Sequence, residues 1–276
     1  MNTSDELLEV ARRIVDALPA EVVEEAAVTG SVSRGVADAV SDIEMLLVTR
    51  DEVDLEACFE LARTAGLEEL GTWGAQGMPA KRVSGYREGV PIELIWWSHA
   101  HAESSIEALL RGETSSAADA IVHAVPLRTG GSLARWQERL AAFPEELVAQ
   151  ICEDAALPWG GFAAAGLLTL VRPGERLALV EWMVDGAIRS IRIVYAVNRT
   201  WQPTTKRLAA RVALLPSKPD RFAERIEYAL TEPDPRRALI ALTELQRDTA
   251  ELAPDGPNVV RARRWLAEGV AILTAR

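Results

Sequence analysis

The chain has 276 residues, 49% apolar and 26% charged, which is ordinary globular material and enough for two domains. No apolar run is long enough to cross a bilayer, and the start, Met1-Asn2-Thr3-Ser4-Asp5-Glu6, lacks the marks of a secretory signal, so a cytoplasmic location without membrane association is expected. The 41 acidic and 30 basic residues give a formal charge of −11, which argues against a nucleic-acid partner and agrees with a cationic small molecule.

Thr3 and Glu6 have capping-box spacing, and Leu7, Val10, Ala11, Ile14 and Leu18 follow at helical intervals, predicting a helix over about 4–18. The apolar segment Ala26-Ala27-Val28 stops at Thr29-Gly30-Ser31, and after a polar loop a second one runs from Ile43 to Val48. These are two expected strands joined across a loop. A helix is expected over about 52–65, then a hairpin with arms at about 80–86 and 90–97 turning at Glu88-Gly89. Trp96 and Trp97 end the second arm, so alternation sends one indole to each face. His99 and His101 follow at a spacing that puts both rings on one face of a continuing strand. Two histidines without further ligands imply a structural or substrate-contact role rather than a metal site, and His123 carries no signal.

Beyond residue 100 helical periodicity takes over. Helices are expected over about 103–111, 133–142, 145–155, 160–170, 176–198, 205–214, 219–230, 235–251 and 258–274, with breaks at Pro144, Pro158, Pro173-Gly174, Pro203, Pro216, Pro219, Pro233 and 254–257. The fold class is therefore α+β, a small mixed-sheet domain over about residues 1–115 and an all-helical domain over about 116–276, the boundary falling within about 112–132. Cys58 and Cys152 each stand alone in a helical stretch, which excludes a zinc site and a disulfide framework and leaves two small hydrophobes.

The chemistry lies in Gly30-Ser31-Val32-Ser33-Arg34-Gly35-Val36-Ala37-Asp38-Ala39-Val40-Ser41-Asp42-Ile43-Glu44. A Gly-Ser at a strand end lets the backbone approach a phosphate closely, so Gly30, Ser31 and Ser33, with Arg34 in the same loop, are the candidate triphosphate-binding residues. Asp42 and Glu44 lie two apart on a strand, so both carboxylates project from one face while Ile43 and Met45 point into the core. Hard oxygen donors of this kind suit magnesium, which takes a few carboxylates together with water and substrate phosphates. Glu93 is a third acid in an apolar strand, where an unpaired carboxylate is expensive to bury and a neighbouring ion would remove the cost. It is placed to ligate the metal or to take a proton from an acceptor hydroxyl.

Gly-Ser, ten residues, then Asp-x-Glu, with a later acid on a strand, resembles the nucleotidyltransferases of the DNA polymerase beta-like superfamily. Ser41-Asp42-Ile43-Glu44-Met45 resembles in particular the kanamycin-type aminoglycoside nucleotidyltransferases. The resemblance covers residues 22–97 and implies Mg2+ at Asp42, Glu44 and Glu93, with ATP or another nucleoside triphosphate as co-substrate. That family's second domain presents an acid as base and a cation four residues later for the phosphates; here Asp185 and Arg189 match by type and spacing. Tyr195 to Lys206 resembles a further segment of bacterial nucleotidyltransferases with helical C-terminal domains, which implies a phosphate contact by Lys206.

The expected activity is thus magnesium-dependent transfer of AMP from ATP to a hydroxyl of a small, cationic acceptor, an aminoglycoside-type antibiotic fitting the description, with antibiotic resistance as the outcome. Relatives that build a cleft between subunits imply a homodimer. Two rivals stand beside it: nucleotidylylation of a protein or tRNA in a toxin–antitoxin pair, and a non-catalytic nucleotide-binding regulator. Three mutually repelling acids beside a phosphate site argue against the regulator.

Overall fold

The computed structural model describes residues 3–73, 80–113, 117–161 and 164–275. The protein is α+β and divides into two compact units, Met1–Ala142 and Phe143–Arg276.

The first unit contains strands β1 (Val23–Val28), β2 (Ile43–Thr49), β3 (Glu68–Thr72), β4 (Lys81–Arg87), β5 (Val90–Ser98) and β6 (Val125–Arg128). They form one mixed sheet in the order β3-β4-β5-β2-β1-β6. β2 and β5 are parallel and the other neighbours antiparallel. Its helices are α1 (Ser4–Ala17), α2 (Gly30–Ser33), α3 (Leu55–Thr64), α4 (His99–Leu110), α5 (Ala118–Val122) and α6 (Ser132–Ala141).

α1 begins where predicted because both arms of its capping box are made: Glu6 N–H donates to Thr3 Oγ1 at 3.3 Å, and Thr3 N–H to Glu6 Oε2 at 2.7 Å. Its buried Leu7, Val10, Ala11 and Ile14 join a core that includes Ile43, Met45, Leu47, Ile92, Leu94 and Trp96, with Cys58 and Ala62 of α3. One face of the sheet is thereby covered, and the period of two along β2 and β5 sends Glu44 and Glu93 to the other. The hairpin of β4 and β5 turns as expected: Glu88 and Gly89 both have positive φ, 55° and 76°, as a type I′ turn requires.

Four local expectations are corrected. The Gly-Ser loop is helical for one turn, as α2. β3 and β6 were not anticipated, since each is a short edge strand without buried alternation. β5 stops at Ser98, whose hydroxyl accepts the His101 N–H at 3.2 Å and caps α4, so His99 and His101 lie in a helix rather than on a strand. Their rings consequently diverge, His101 packing edge-on to Trp97 and His99 lying near Trp136. Trp96 and Trp97 do occupy opposite faces, and both are buried.

The expected junction at 115/116 lies outside the described residues, and the division falls after Ala142 instead. The reason is physical: β6 pairs with β1, and the buried Glu25 of β1 accepts the Ser132 and Leu133 N–H groups at 2.5 and 2.9 Å, satisfying the start of α6. The segment 117–142 is therefore bound into the sheet unit.

The second unit is helical: α7 (Glu145–Gly161), a 3-10 turn (Ala164–Gly166), α8 (Leu167–Leu170), α9 (Arg176–Val197), α10 (Leu208–Ala213), α11 (Phe222–Thr231), α12 (Pro235–Ala250) and α13 (Pro257–Thr274). The expected helix over 160–170 is not one element: α7 runs to Gly161, 162–163 lie outside the described residues, and α8 follows the 3-10 turn. Pro158, expected as a break, lies inside α7. Its missing N–H removes one rung of the ladder, and the burial of Ala155, Ala156 and Trp159 carries the helix through. Glu153 repeats the device of Glu25, accepting the Asn258 and Val259 N–H groups at the start of α13 at 3.0 and 3.1 Å. Among the described residues no helix is long and apolar enough to cross a membrane.

Candidate functional site

Two of the candidate acids meet across β2 and β5. Glu44 and Glu93 are direct partners in the parallel register, so their side chains leave the same face from strands about 4.8 Å apart. Asp42 precedes β2 by one residue, and the chain leading to it is fixed by a local knot. The Asp38 N–H donates to Ser41 Oγ at 2.9 Å, while Ser41 Oγ and the Val40 N–H donate to Asp38 Oδ1 at 2.9 and 3.2 Å. Asp38 and Ser41 thus position Asp42, a role the sequence pattern did not single out.

The Gly-Ser turn meets these acids through Gly30. Its φ is +69°, and a Cβ built there would stand 2.1 Å from Glu44 Oε2. The turn's left-handed backbone favours glycine here, and a side chain would also displace the Glu44 carboxylate that lies against it. Thr29 N–H donates to the Glu44 carbonyl at 2.8 Å, holding the turn to β2. Ser31 is half-buried, and its hydroxyl has no hydrogen-bond partner among the described residues. Ser33 Oγ donates to the Gly30 carbonyl at 3.1 Å. Arg34 donates to the same carbonyl at 2.8 Å and pairs with Asp119 of α5, both side chains being largely shielded, 17% and 14% exposed. As it stands, Arg34 braces the turn against α5.

Burial raises the Glu93 pKa above the ordinary carboxylate value, and the charges of Glu44 and Asp42 act in the same direction while Arg82 opposes them. Arg82 Nη1 lies 3.3 Å from Glu93 Oε1, and its guanidinium carbon is 4.1 Å from the centroid of the Trp73 ring. Sequence reasoning missed this residue, although the signal was present. A two-residue turn at Glu88-Gly89 sets Ser84 opposite Glu93 and Arg82 on the adjoining diagonal, within reach of a long side chain.

Glu44 and Glu93 offer hard carboxylate oxygens from neighbouring positions, the donor type that magnesium takes. Among the described residues, no three Asp, Glu, His or Cys side chains converge as a ready metal cage. Magnesium does not demand one, since it is held by one or two carboxylates together with water and substrate phosphates. The acids fit the ion on those terms.

The remaining candidates belong to the helical unit. Asp185 and Arg189 do share a face of α9, Arg189 Nε donating to Asp185 Oδ2 at 2.6 Å and Arg189 Nη1 to the Asp154 carbonyl at 3.2 Å. Beside them runs a groove of about 560 Å3 lined by Leu170, Glu181, Trp182, Val184, Asp185 and Ile188. Lys206 is exposed in the turn before α10. Asn198, in the same motif, closes α9: its amide donates to the Val194 and Ser217 carbonyls, both at 2.6 Å, and its side-chain oxygen accepts the Ser217 N–H at 2.9 Å. Cys58 and Cys152 are buried, and burial pushes both thiols up to about 12, which removes them as nucleophiles.

No family model matches the sequence, and no curated protein matches it. Among solved structures the chain is similar to a nucleotidyltransferase-like protein from Exiguobacterium sibiricum 255-15. The identity is 15% and the TM-score 0.40, over 89% of this chain and 76% of that one. A likeness this distant carries no argument about the reaction, so the functional reading rests on the residues of the site.

Proposed function

We propose that this protein transfers a nucleoside monophosphate, AMP from ATP in the leading form, to a hydroxyl of a cationic small molecule of the aminoglycoside type. The observation that carries the reading is the register of β2 and β5, which sets Glu44 beside Glu93 with Asp42 close in sequence and the Gly30-Ser31 turn against Glu44. Asp42, Glu44 and Glu93 would hold Mg2+, which supplies charge neutralisation on the phosphates and favours ionisation of the acceptor hydroxyl. The Ser31 hydroxyl is available to a phosphate oxygen, and Lys206 offers an exposed point charge.

In the reaction the acceptor oxygen forms a bond to the α-phosphorus, the bond from that phosphorus to the bridging oxygen breaks, and pyrophosphate leaves. The hydroxyl proton passes to a carboxylate, Glu93 on the sheet or Asp185 on α9. Loss of turnover with both triphosphate and metal-ion binding intact, in Glu93→Gln or in Asp185→Asn, identifies which. The carboxylates of Glu181 and Asp185 beside the groove suit the ammonium groups of a cationic acceptor.

The test is pyrophosphate release from each common nucleoside triphosphate with magnesium and a panel of aminoglycosides, lincosamides and cell extract, comparing wild type with Asp42→Asn. Release that needs Asp42 and a small-molecule acceptor is expected. Labelled AMP on a protein or RNA band instead would move the acceptor to a macromolecule, and nucleotide binding with no release under any condition would leave a regulator.

A further inference from the structure

Glu93 already has a cation beside it. Arg82, on β4, reaches Glu93 Oε1 at 3.3 Å, and the Glu93 side chain is only 16% exposed. The guanidinium does not merely drift near the acid from solvent. Its carbon lies 4.1 Å from the Trp73 ring centroid, so the indole face contacts the cation while Glu93 accepts from one of its donors. Trp73 is 53% exposed, an unusual setting for so large an apolar ring, and the stacked guanidinium gives it a role there.

Two further facts bear on what this cation does. No ready metal cage exists among the described residues, so a divalent ion entering alone would find too few protein ligands to close its coordination. It would also meet a fixed positive charge beside Glu93, which weakens the pull of Asp42 and Glu44 on the ion, whereas a triphosphate entering with it supplies further negative charge.

We propose that Arg82 is a positioning residue that acts as the resident counter-cation of the acidic group, holding Glu93 in place and suppressing divalent-ion binding until the ion arrives together with nucleoside triphosphate. The inference rests on the nucleotidyl-transfer reading and adds an order to it: metal and nucleotide load as one complex, and the empty site does not collect free ions. Trp73 serves the same end by holding the guanidinium over the sheet.

The experiment measures Mn2+ binding to the full-length protein by electron paramagnetic resonance, first without nucleotide and then with a non-hydrolysable ATP analogue. Wild type, Arg82→Gln, Arg82→Lys, Trp73→Ala and Asp42→Asn are compared after circular dichroism confirms that each is folded. Arg82→Gln is expected to bind Mn2+ alone about tenfold more tightly than wild type, since one unit charge near a divalent ion is removed. Arg82→Lys retains the charge and stays near wild type, and Trp73→Ala falls between. Equal or weaker Mn2+ binding by Arg82→Gln, with nucleotide-dependent binding intact in wild type, overturns the counter-cation role and leaves the reaction untouched. If wild type takes up no Mn2+ even with the analogue, or takes it up independently of Asp42, the nucleotidyl-transfer reading falls and the role of Arg82 with it.

Discussion

Gly30 and Glu93 carry opposite kinds of constraint. Gly30→Ala forces a Cβ into Glu44 Oε2 and strains a positive φ, so the carboxylate must move. A stability loss of about 1–3 kcal/mol is expected from the backbone alone, together with a fall in turnover out of proportion to it; full activity in a folded Gly30→Ala protein would show that Glu44 need not lie where it does. Glu93 is a stability cost retained at the site. Its folded-state pKa is raised by burial, so the folded protein holds that proton more tightly than the unfolded chain does. The associated stability is present in acid and lost as pH rises through the folded value. Glu93→Gln should therefore raise the melting temperature in metal-free buffer at pH 7 to 8, and the gain should vanish toward pH 4, about where the unfolded carboxylate titrates. A melting temperature lowered at neutral pH would mean that the Arg82 pairing outweighs desolvation.

Helices in both units are fastened by side chains from elsewhere in the fold. Glu25 supplies from β1 the acceptors that α6 lacks at its start, Gly131 at the cap position having no side chain to offer. Removing it with Glu25→Ala leaves two buried N–H groups unpaired, and urea titration should show a loss of about 2–4 kcal/mol. A second prediction concerns α9, where replacing a helical glycine by alanine ordinarily stabilises. At Gly186 the added Cβ would lie 2.4 Å from Gln246 Nε2 and 3.0 Å from Leu242 Cδ2 of α12. Gly186→Ala is expected to destabilise by about 1–3 kcal/mol because overpacking exceeds the propensity gain; a rise in the denaturation midpoint would show that α12 gives way.

Taken whole, the chain is two units whose division follows pairing rather than composition. A fragment of residues 1–142 keeps β6 and the Glu25 contacts to α6, whereas one of residues 1–115 loses both and exposes the edge of β1. The longer fragment is expected to show a cooperative thermal transition by circular dichroism and the shorter to aggregate or melt without one. Equal behaviour of the two would place the stability of the sheet in β1 to β5 alone.

What the sequence determined by itself was whatever depends on local period and spacing. The capping box and apolar repeat of α1, the two arms of the hairpin and the alternation that sends Ile43 and Met45 inward and Glu44 outward are all properties of a few adjacent residues. The sequence also marks Glu44 and Glu93 as acids within apolar strands, while Asp42 lies one residue ahead of β2 rather than on it. Only tertiary structure decided how these pieces meet. Parallel pairing of β2 with β5 brings Glu44 beside Glu93 across almost fifty residues of chain, a contact with no local signature. The bracing of Arg34 by Asp119 and the capping of α6 by Glu25 depend likewise on partners distant in sequence, and the contacts of Arg82 with Glu93 and Trp73 on the pairing of neighbouring strands. A charged side chain takes its role from the nearest opposite charge, acceptor or ring, and the fold alone chooses which of these is near.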